Sequence, residues 1–178
     1  MSEPVAILIV DDRPENLVAL EQVLDQPDWK VVRAGSGNEA LVLVQEEEFA
    51  LVLMDVQMPD MNGFETAQLM RAHPRTRRLP IIFVTAIGRD EKYVFEGYES
   101  GAVDYLAKPI DPVILVSKVR VFVELYRQRR ALEESRRDLA AVNLALAERN
   151  QQLQEELALA RTVQMSFLPR HHPRHDRM

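Results

Sequence analysis

Between Pro112 and Pro169 the chain runs for 56 residues with neither a proline nor a glycine. A domain of alternating strands and helices needs frequent turns, and turns recruit these two residue types. A long helix must avoid them. All six glycines (35, 37, 63, 88, 97 and 101) and eight of the ten prolines lie at or before residue 112. The chain therefore divides into a globular part, 1–125, a helical part, 126–168, continuous with the last helix of the first, and a tail, 169–178. The tail is expected to be disordered or to begin a further domain. A helix from Asp111 to Phe167 would measure about 85 Å at 1.5 Å per residue. It cannot fold back on one small domain without a break, so it needs a partner.

Charge follows the same division. Residues 1–125 carry 12 Lys/Arg against 21 Asp/Glu, whereas residues 126–178 carry 10 Arg against 7 acids. An acidic first part does not suit nonspecific nucleic-acid binding. There is no cysteine, which removes disulfides, thiolate metal sites and cysteine nucleophiles. No run of about 18 apolar residues exists to span a bilayer. Met-Ser-Glu-Pro has no basic n-region and does not read as a signal peptide. A cytoplasmic location and no membrane partner are expected.

The globular part alternates short apolar runs with amphipathic stretches. Val5–Val10 is apolar throughout, as in a strand buried on both faces. Similar runs follow at Lys30–Ala34, Ala50–Met54, Pro80–Thr85 and Asp104–Ala107. Between them lie helical patterns. Leu17, Leu20, Val23 and Leu24 form one face, and Ala40, Leu41, Leu43 and Val44 a second. Phe64, Ala67, Gln68 and Met70 form a third, and Val94, Phe95 and Tyr98 a fourth. Five βα units in sequence imply an α/β fold with a parallel sheet between two helical layers.

Asp111 is placed to N-cap the last helix, with Pro112 at its first position and Ile110 and Leu115 as a hydrophobic staple. Val113, Val116 and Val119 are expected to pack on the sheet. Beyond them Leu125, Leu132, Leu139, Leu146 and Leu153 repeat every seven residues. With these at d, the a positions include Phe122, Arg129, Arg136, Asn143, Asn150 and Leu157. Leucine at d with Asn143 and Asn150 at a favours a parallel, in-register dimeric coiled coil. The bland alternative is a single solvated helix with a chance leucine stripe.

Five polar residues fall at the carboxyl ends of predicted strands, where open α/β sheets bind ligands. Asp11 and Asp12 follow the first strand, Asp55 the third, and Lys108 the fifth; Thr85 ends the fourth. Singly each is ordinary. The acid pair could be a helix N-terminal cluster with Asp12 as its cap, Lys108 a surface charge, and Thr85 a strand-end cap. Together they make a pocket. Three carboxylates repel one another and call for a cation, and hard oxygen donors without thiols favour Mg²⁺, with Mn²⁺ possible in its place. A cation and an ammonium beside Asp55 suit a phosphoryl group in flight, with Asp55 as nucleophile and Thr85 as hydroxyl donor.

Residues 1 to about 125 resemble the receiver domain of bacterial two-component response regulators. The strings that carry the resemblance are ILIVDDRPEN (7–16), LVLMDVQMPDMNGFE (51–65), IIFVTA (81–86) and GAVDYLAKPI (101–110). The resemblance implies a flavodoxin-like sheet in the order 2-1-3-4-5 and a sensor histidine kinase as partner. It makes Asp55 the phosphoacceptor and assigns Mg²⁺ to Asp11 and Asp12, with Asp12, Asp55 and the Gln57 backbone carbonyl as direct ligands. Lys108 would contact the phosphoryl group through a loop with a cis Lys108–Pro109 bond. Thr85 and Tyr105 would be the switch pair, Thr85 moving toward the phosphate and Tyr105 turning into the vacated space, with small Ala86 beside the phosphate. Gln57 and Ile87 occupy the positions that tune phosphoryl lifetime in the family. An apolar Ile87 implies a lifetime of minutes or more.

The segment LALARTVQMSFLPR (157–170) resembles the entry to metal-dependent PPM-type Ser/Thr phosphatase domains, which receivers and helical linkers often precede. That likeness implies a phosphatase output domain outside this chain, whose own metal-binding aspartates are absent here. The bland reading is the end of a coiled coil. RQRR (127–130) and ESRR (134–137) do not make a basic zipper, because the leucine heptad runs through them and leaves no fork for DNA. A flavin site is disfavoured, since two acids stand where a phosphate-cradling loop would follow the first strand. The alternative to a signalling relay is a stand-alone adaptor whose coil binds another protein. An enzyme proper lacks any substrate-pocket signal beyond the phosphoryl site.

Overall fold

The computed structural model describes residues 3–86 and 104–167. The elements are β1 (Val5–Val10), α1 (Pro14–Val23), β2 (Trp29–Ala34), α2 (Gly37–Glu46), β3 (Leu51–Asp55), α3 (Gly63–Ala72), β4 (Ile81–Thr85), β5 (Asp104–Ala107) and α4 (Pro112–Phe167). The strands form one parallel sheet in the order β2-β1-β3-β4-β5, the flavodoxin-like arrangement. β1 and β5 have the expected bounds. β2 begins one residue earlier, with Trp29 paired to Val5. β3 is Leu51–Asp55 rather than 50–54, so Asp55 ends the strand instead of following it. β4 starts at Ile81, because Pro80 has no N–H and contributes only its carbonyl, to Val52 N at 2.9 Å.

Alternation along the strands feeds two cores. Leu8, Val10, Val52, Met54, Ile81 and Phe83 pack with α2 and α3 through Ala40, Val44, Phe64 and Met70. Ile7, Ile9, Leu51, Leu53, Ile82 and Val84 pack with α1 and the first turns of α4 through Leu17, Leu20, Leu115, Val119 and Val123. Helices on both sides are what strands with buried faces require.

Helix starts follow local chemistry. The Ser36 hydroxyl accepts from Glu39 N, and Asn62 and Glu65 form a reciprocal capping box on α3. Asp111 Oδ1 accepts from the N–H groups of Val113 (2.8 Å) and Ile114 (3.3 Å), and Ile110 joins the cluster that buries Leu115. Cap and staple are therefore as expected.

Three details differ. Val113 is exposed and α4 packs through Leu115, Val119 and Val123, because the run VILV (113–116) is apolar in every phase and only the cap fixes which side faces the sheet. On α3 Gln68 is exposed and Thr66 is buried in the neighbouring phase, its hydroxyl bonded to the Asn62 carbonyl at 2.9 Å. Asp12 does not cap α1: the N-cap is Arg13 without a side-chain bond, and the Arg13 N–H goes to Asp11 instead.

The chain forms two compact units, 1–128 and 129–178. In the second unit every described side chain from Arg129 to Ser166 is exposed, including Leu132, Leu139, Leu146 and Leu153 of the heptad with Asn143 and Asn150. Among the described residues no helix is long and apolar enough to cross a membrane. The predicted helical face Val94, Phe95 and Tyr98, the position Ile87, and the tail from 168 lie outside the described residues.

Candidate functional site

Sheet register builds the site. Val10 pairs with Met54, so Asp11 and Asp55 lie one step beyond the same rung. Asp55 pairs with Val84, and Thr85 with Ala107, which brings Lys108 to the same edge. The Thr85 carbonyl accepts from Lys108 N at 2.7 Å and locks that corner. The Lys108–Pro109 bond is cis, as the resemblance implied.

Carboxylate oxygens of Asp11, Asp12 and Asp55 all lie within 4.8 Å of one another. Asp11 is 1% exposed and Asp55 6%, whereas Asp12 is nearer solvent. Buried carboxylates this close need a counter-charge. Lys108 supplies one: its Nζ donates to Asp55 Oδ1 at 2.8 Å and to Asp11 Oδ2 at 3.0 Å. Burial pushes the Asp55 carboxyl pKa up, and the hydrogen bond from Lys108 recovers only part of that shift. Burial opposes the Lys108 charge, but its bonds to Asp55 and Asp11 prevail and raise its pKa. The site thus holds a firmly protonated ammonium against a carboxylate made more basic than usual. Among the described residues, one cation among three acids leaves a net negative pocket of hard oxygen donors, the chemistry that attracts Mg²⁺.

Thr85 closes β4 at the same edge, half-buried. Tyr105 lies on β5 against the α3 side, its ring centroid 5.6 Å from that of Phe83. Gln57 follows Val56 just beyond Asp55 and is exposed. The predicted pocket residues Asp11, Asp12, Asp55 and Lys108 come together, with Thr85 on the same rim. Tyr105 lies two rungs back.

Two further residues shape the site, and neither hydropathy nor periodicity marks them. Asn16 Nδ2 donates to both Asp11 oxygens, each at 2.9 Å. Gly63 opens α3 directly over the strand end, where any Cβ would run into the Asp55 carbonyl, and its N–H donates to the Val56 carbonyl at 3.0 Å. The glycine in MNGFE (61–65) was the available clue.

A family model for the response regulator receiver domain matches residues 7–120. The chain is 37% identical over 132 residues to response regulator PleD of Caulobacter vibrioides, covering 70% of this chain and 29% of that protein. A response regulator structure from Chloroflexus aurantiacus is 38% identical with TM-score 0.64, covering 68% of this chain and 99% of that one. The receiver domain of the sensor histidine kinase PA1611 from Pseudomonas aeruginosa is 27% identical with TM-score 0.62, covering 68% of this chain and 98% of its own. That structure carries a magnesium ion in its active-site cleft. The chain spans between about a quarter and a half of the length of the curated relatives it matches.

Proposed function

Because the chain belongs to the response regulator receiver domain family, we propose that it takes a phosphoryl group from a sensor histidine kinase onto Asp55. Receiver domains as a class accept phosphoryl groups from histidine kinases on an aspartate and bind Mg²⁺ at an acidic cluster. The observation that carries the reading is Lys108 bridging Asp55 and Asp11 within a cluster of three carboxylates.

In the proposed step an Asp55 oxygen attacks the phosphorus of a phosphohistidine. The new O–P bond replaces the P–N bond, and the departing imidazole takes a proton from solvent. Asp55 is suited to attack, since burial makes it more basic. Lys108 moves from pairing the carboxylate to pairing the incoming phosphoryl oxygens, holding positive charge where negative charge gathers. Asp12, Asp55 and the Gln57 carbonyl would hold Mg²⁺ directly, with Asp11 assisting; Mn²⁺ suits the same donors. The bound metal supplies charge neutralisation at the phosphoryl oxygens. Thr85 donates its hydroxyl to the phosphoryl group, and Tyr105 changes rotamer with it.

The receiver, 1–125, would pass this change to residues 126–168 as a parallel homodimer seamed by Leu125, Leu132, Leu139, Leu146 and Leu153, with Asn143 and Asn150 fixing register. Support comes from the exposure of these leucines along one helix. The output is read as a PPM-type Ser/Thr phosphatase domain beyond residue 170, on the strength of the 157–170 pattern. No nucleic-acid or membrane partner is proposed.

Incubation with phosphoramidate tests the central step. One phosphoryl group should appear by intact mass, only with Mg²⁺ or Mn²⁺, and not in Asp55→Asn. Labelling that persists in Asp55→Asn refutes Asp55 as acceptor.

A further inference from the structure

The Asp11 carboxylate is held at both oxygens. Oδ1 accepts from the Arg13 N–H at 2.9 Å and from Asn16 Nδ2 at 2.9 Å. Oδ2 accepts from the same Nδ2 at 2.9 Å and from Lys108 Nζ at 3.0 Å. An amide that meets two carboxylate oxygens must present its NH₂, since its carbonyl would set acceptor against acceptor. Asn16, the third residue of α1, thus reaches back five positions to the end of β1. Its bond closes a chain from Asn16 to Asp11 to Lys108 to Asp55, linking α1 to the loop after β5 and to the end of β3.

We propose that Asn16 is a positioning residue of the phosphoryl-accepting pocket, fixing the Asp11 carboxylate so that Asp11 in turn holds Lys108 against Asp55. The inference rests on the reading of Asp55 as acceptor. Asn16 also engages both Asp11 oxygens, so Asp12 and Asp55 are the carboxylates freer to meet a cation directly, with Asp11 assisting. Without Asn16, Asp11 keeps only the Arg13 N–H and Lys108 as donors among the described residues. It then turns about its side-chain torsions and draws the ammonium away from Asp55. Misplacing a charged group by even 1 Å costs rate at a site that works by positioning.

A purely structural role makes a different prediction. At the third position of a helix, alanine is a stronger helix former than asparagine, and aspartate complements the helix dipole. Both Asn16→Ala and Asn16→Asp should then be harmless. A positioning role ranks them the other way. The alanine variant loses the donor, while the isosteric aspartate loses it and adds a like charge beside Asp11.

The test uses the full chain and phosphoramidate at saturating Mg²⁺, at a temperature where all proteins are folded by circular dichroism. Asn16→Ala should be phosphorylated about tenfold more slowly than wild type or worse, and Asn16→Asp more slowly still. If either variant reacts within about twofold of wild type, the inference is overturned. Asp55→Asn, run alongside, separates the two readings: label that survives there defeats Asp55 as acceptor, whatever the Asn16 variants do.

Discussion

In β1 six successive residues, Val5 to Val10, are all buried. In α4 beyond Arg129, Leu132, Leu139 and Leu146 are 61%, 61% and 57% exposed. Both stretches are strongly patterned, but of the two only the first is buried among the described residues. In the first unit the strands and the inward faces of the helices pack into two cores, and polar residues accumulate where the strands end. In the second, leucines recur every seven residues and stay exposed among the described residues. Its ion pairs, such as Arg129 with Glu133 at 3.8 Å, are exposed and worth little. A helix of this kind owes little of its stability to local propensity. The contrast separates two kinds of information: one pattern specifies a fold and a pocket, the other, in the function proposed above, an encounter with a second helix.

Substitutions should separate the two units cleanly. The largest effect is expected from Phe83→Ala, which empties a fully buried site between Phe64 and Tyr105. It should cost about 3–5 kcal/mol by urea unfolding, whatever the protein concentration. Leu139→Ala, by contrast, should leave the receiver transition in place. It should lower only a helical transition that depends on concentration. If both variants moved one shared transition, the division into two units would fail.

Mg²⁺ should act on the first unit alone. At about a hundredfold excess over its dissociation constant it should add about 2.7 kcal/mol to receiver stability. It should leave the helical transition where it is, as differential scanning calorimetry would show. Replacing Asn143 and Asn150 by Leu should have the converse effect. It should raise the helical transition, leave phosphorylation of Asp55 unchanged, and weaken the response of any output to it, because a polar a position lowers coil stability.

The smallest effect concerns pH. The Asp55 carboxyl has a raised pKa in the fold, so the folded chain holds that proton more tightly than the unfolded chain. Its contribution to stability is present below the ordinary carboxylate range near about 4 and is lost as pH rises through the folded value. Without metal, Asp55→Asn should therefore have a higher urea midpoint than wild type at pH 7. The difference should shrink toward pH 4. A wild type that is the more stable at pH 7 would mean that Lys108 outweighs burial at Asp55.

The parts legible in the sequence were those where one pattern had one solution. Val5–Val10 is too short for most helices and reads as a strand buried on both sides, and Asp111–Pro112 with its staple reads as a helix start, and both bounds agree with the structure. Strand ends told where Asp11, Asp55 and Lys108 would meet, because parallel register carries them to one edge. Phase was harder. In 113–116 four apolar residues fit any face, and Leu115 rather than Val113 proved to be the inward one. Gln68 fell on an apparent face that the buried Thr66 in fact shares with Phe64, Ala67 and Met70. Asn16 and Gly63 were harder to read for another reason: their roles are relations, to a carboxylate five residues back and to a backbone carbonyl on another element. Neither hydropathy nor periodicity records a relation.

In the proposed function the second unit pairs with its own copy, and light scattering on the full chain, with and without Mg²⁺ and beryllofluoride as a phosphoryl mimic, decides whether it does. A mass of twice 20.4 kDa is expected with the mimic bound. A dimer in its absence would mean that signalling works by rearrangement within a standing pair. A 20.4 kDa monomer under both conditions, at concentrations well above micromolar, would contradict the claim and leave the leucine row to a different protein.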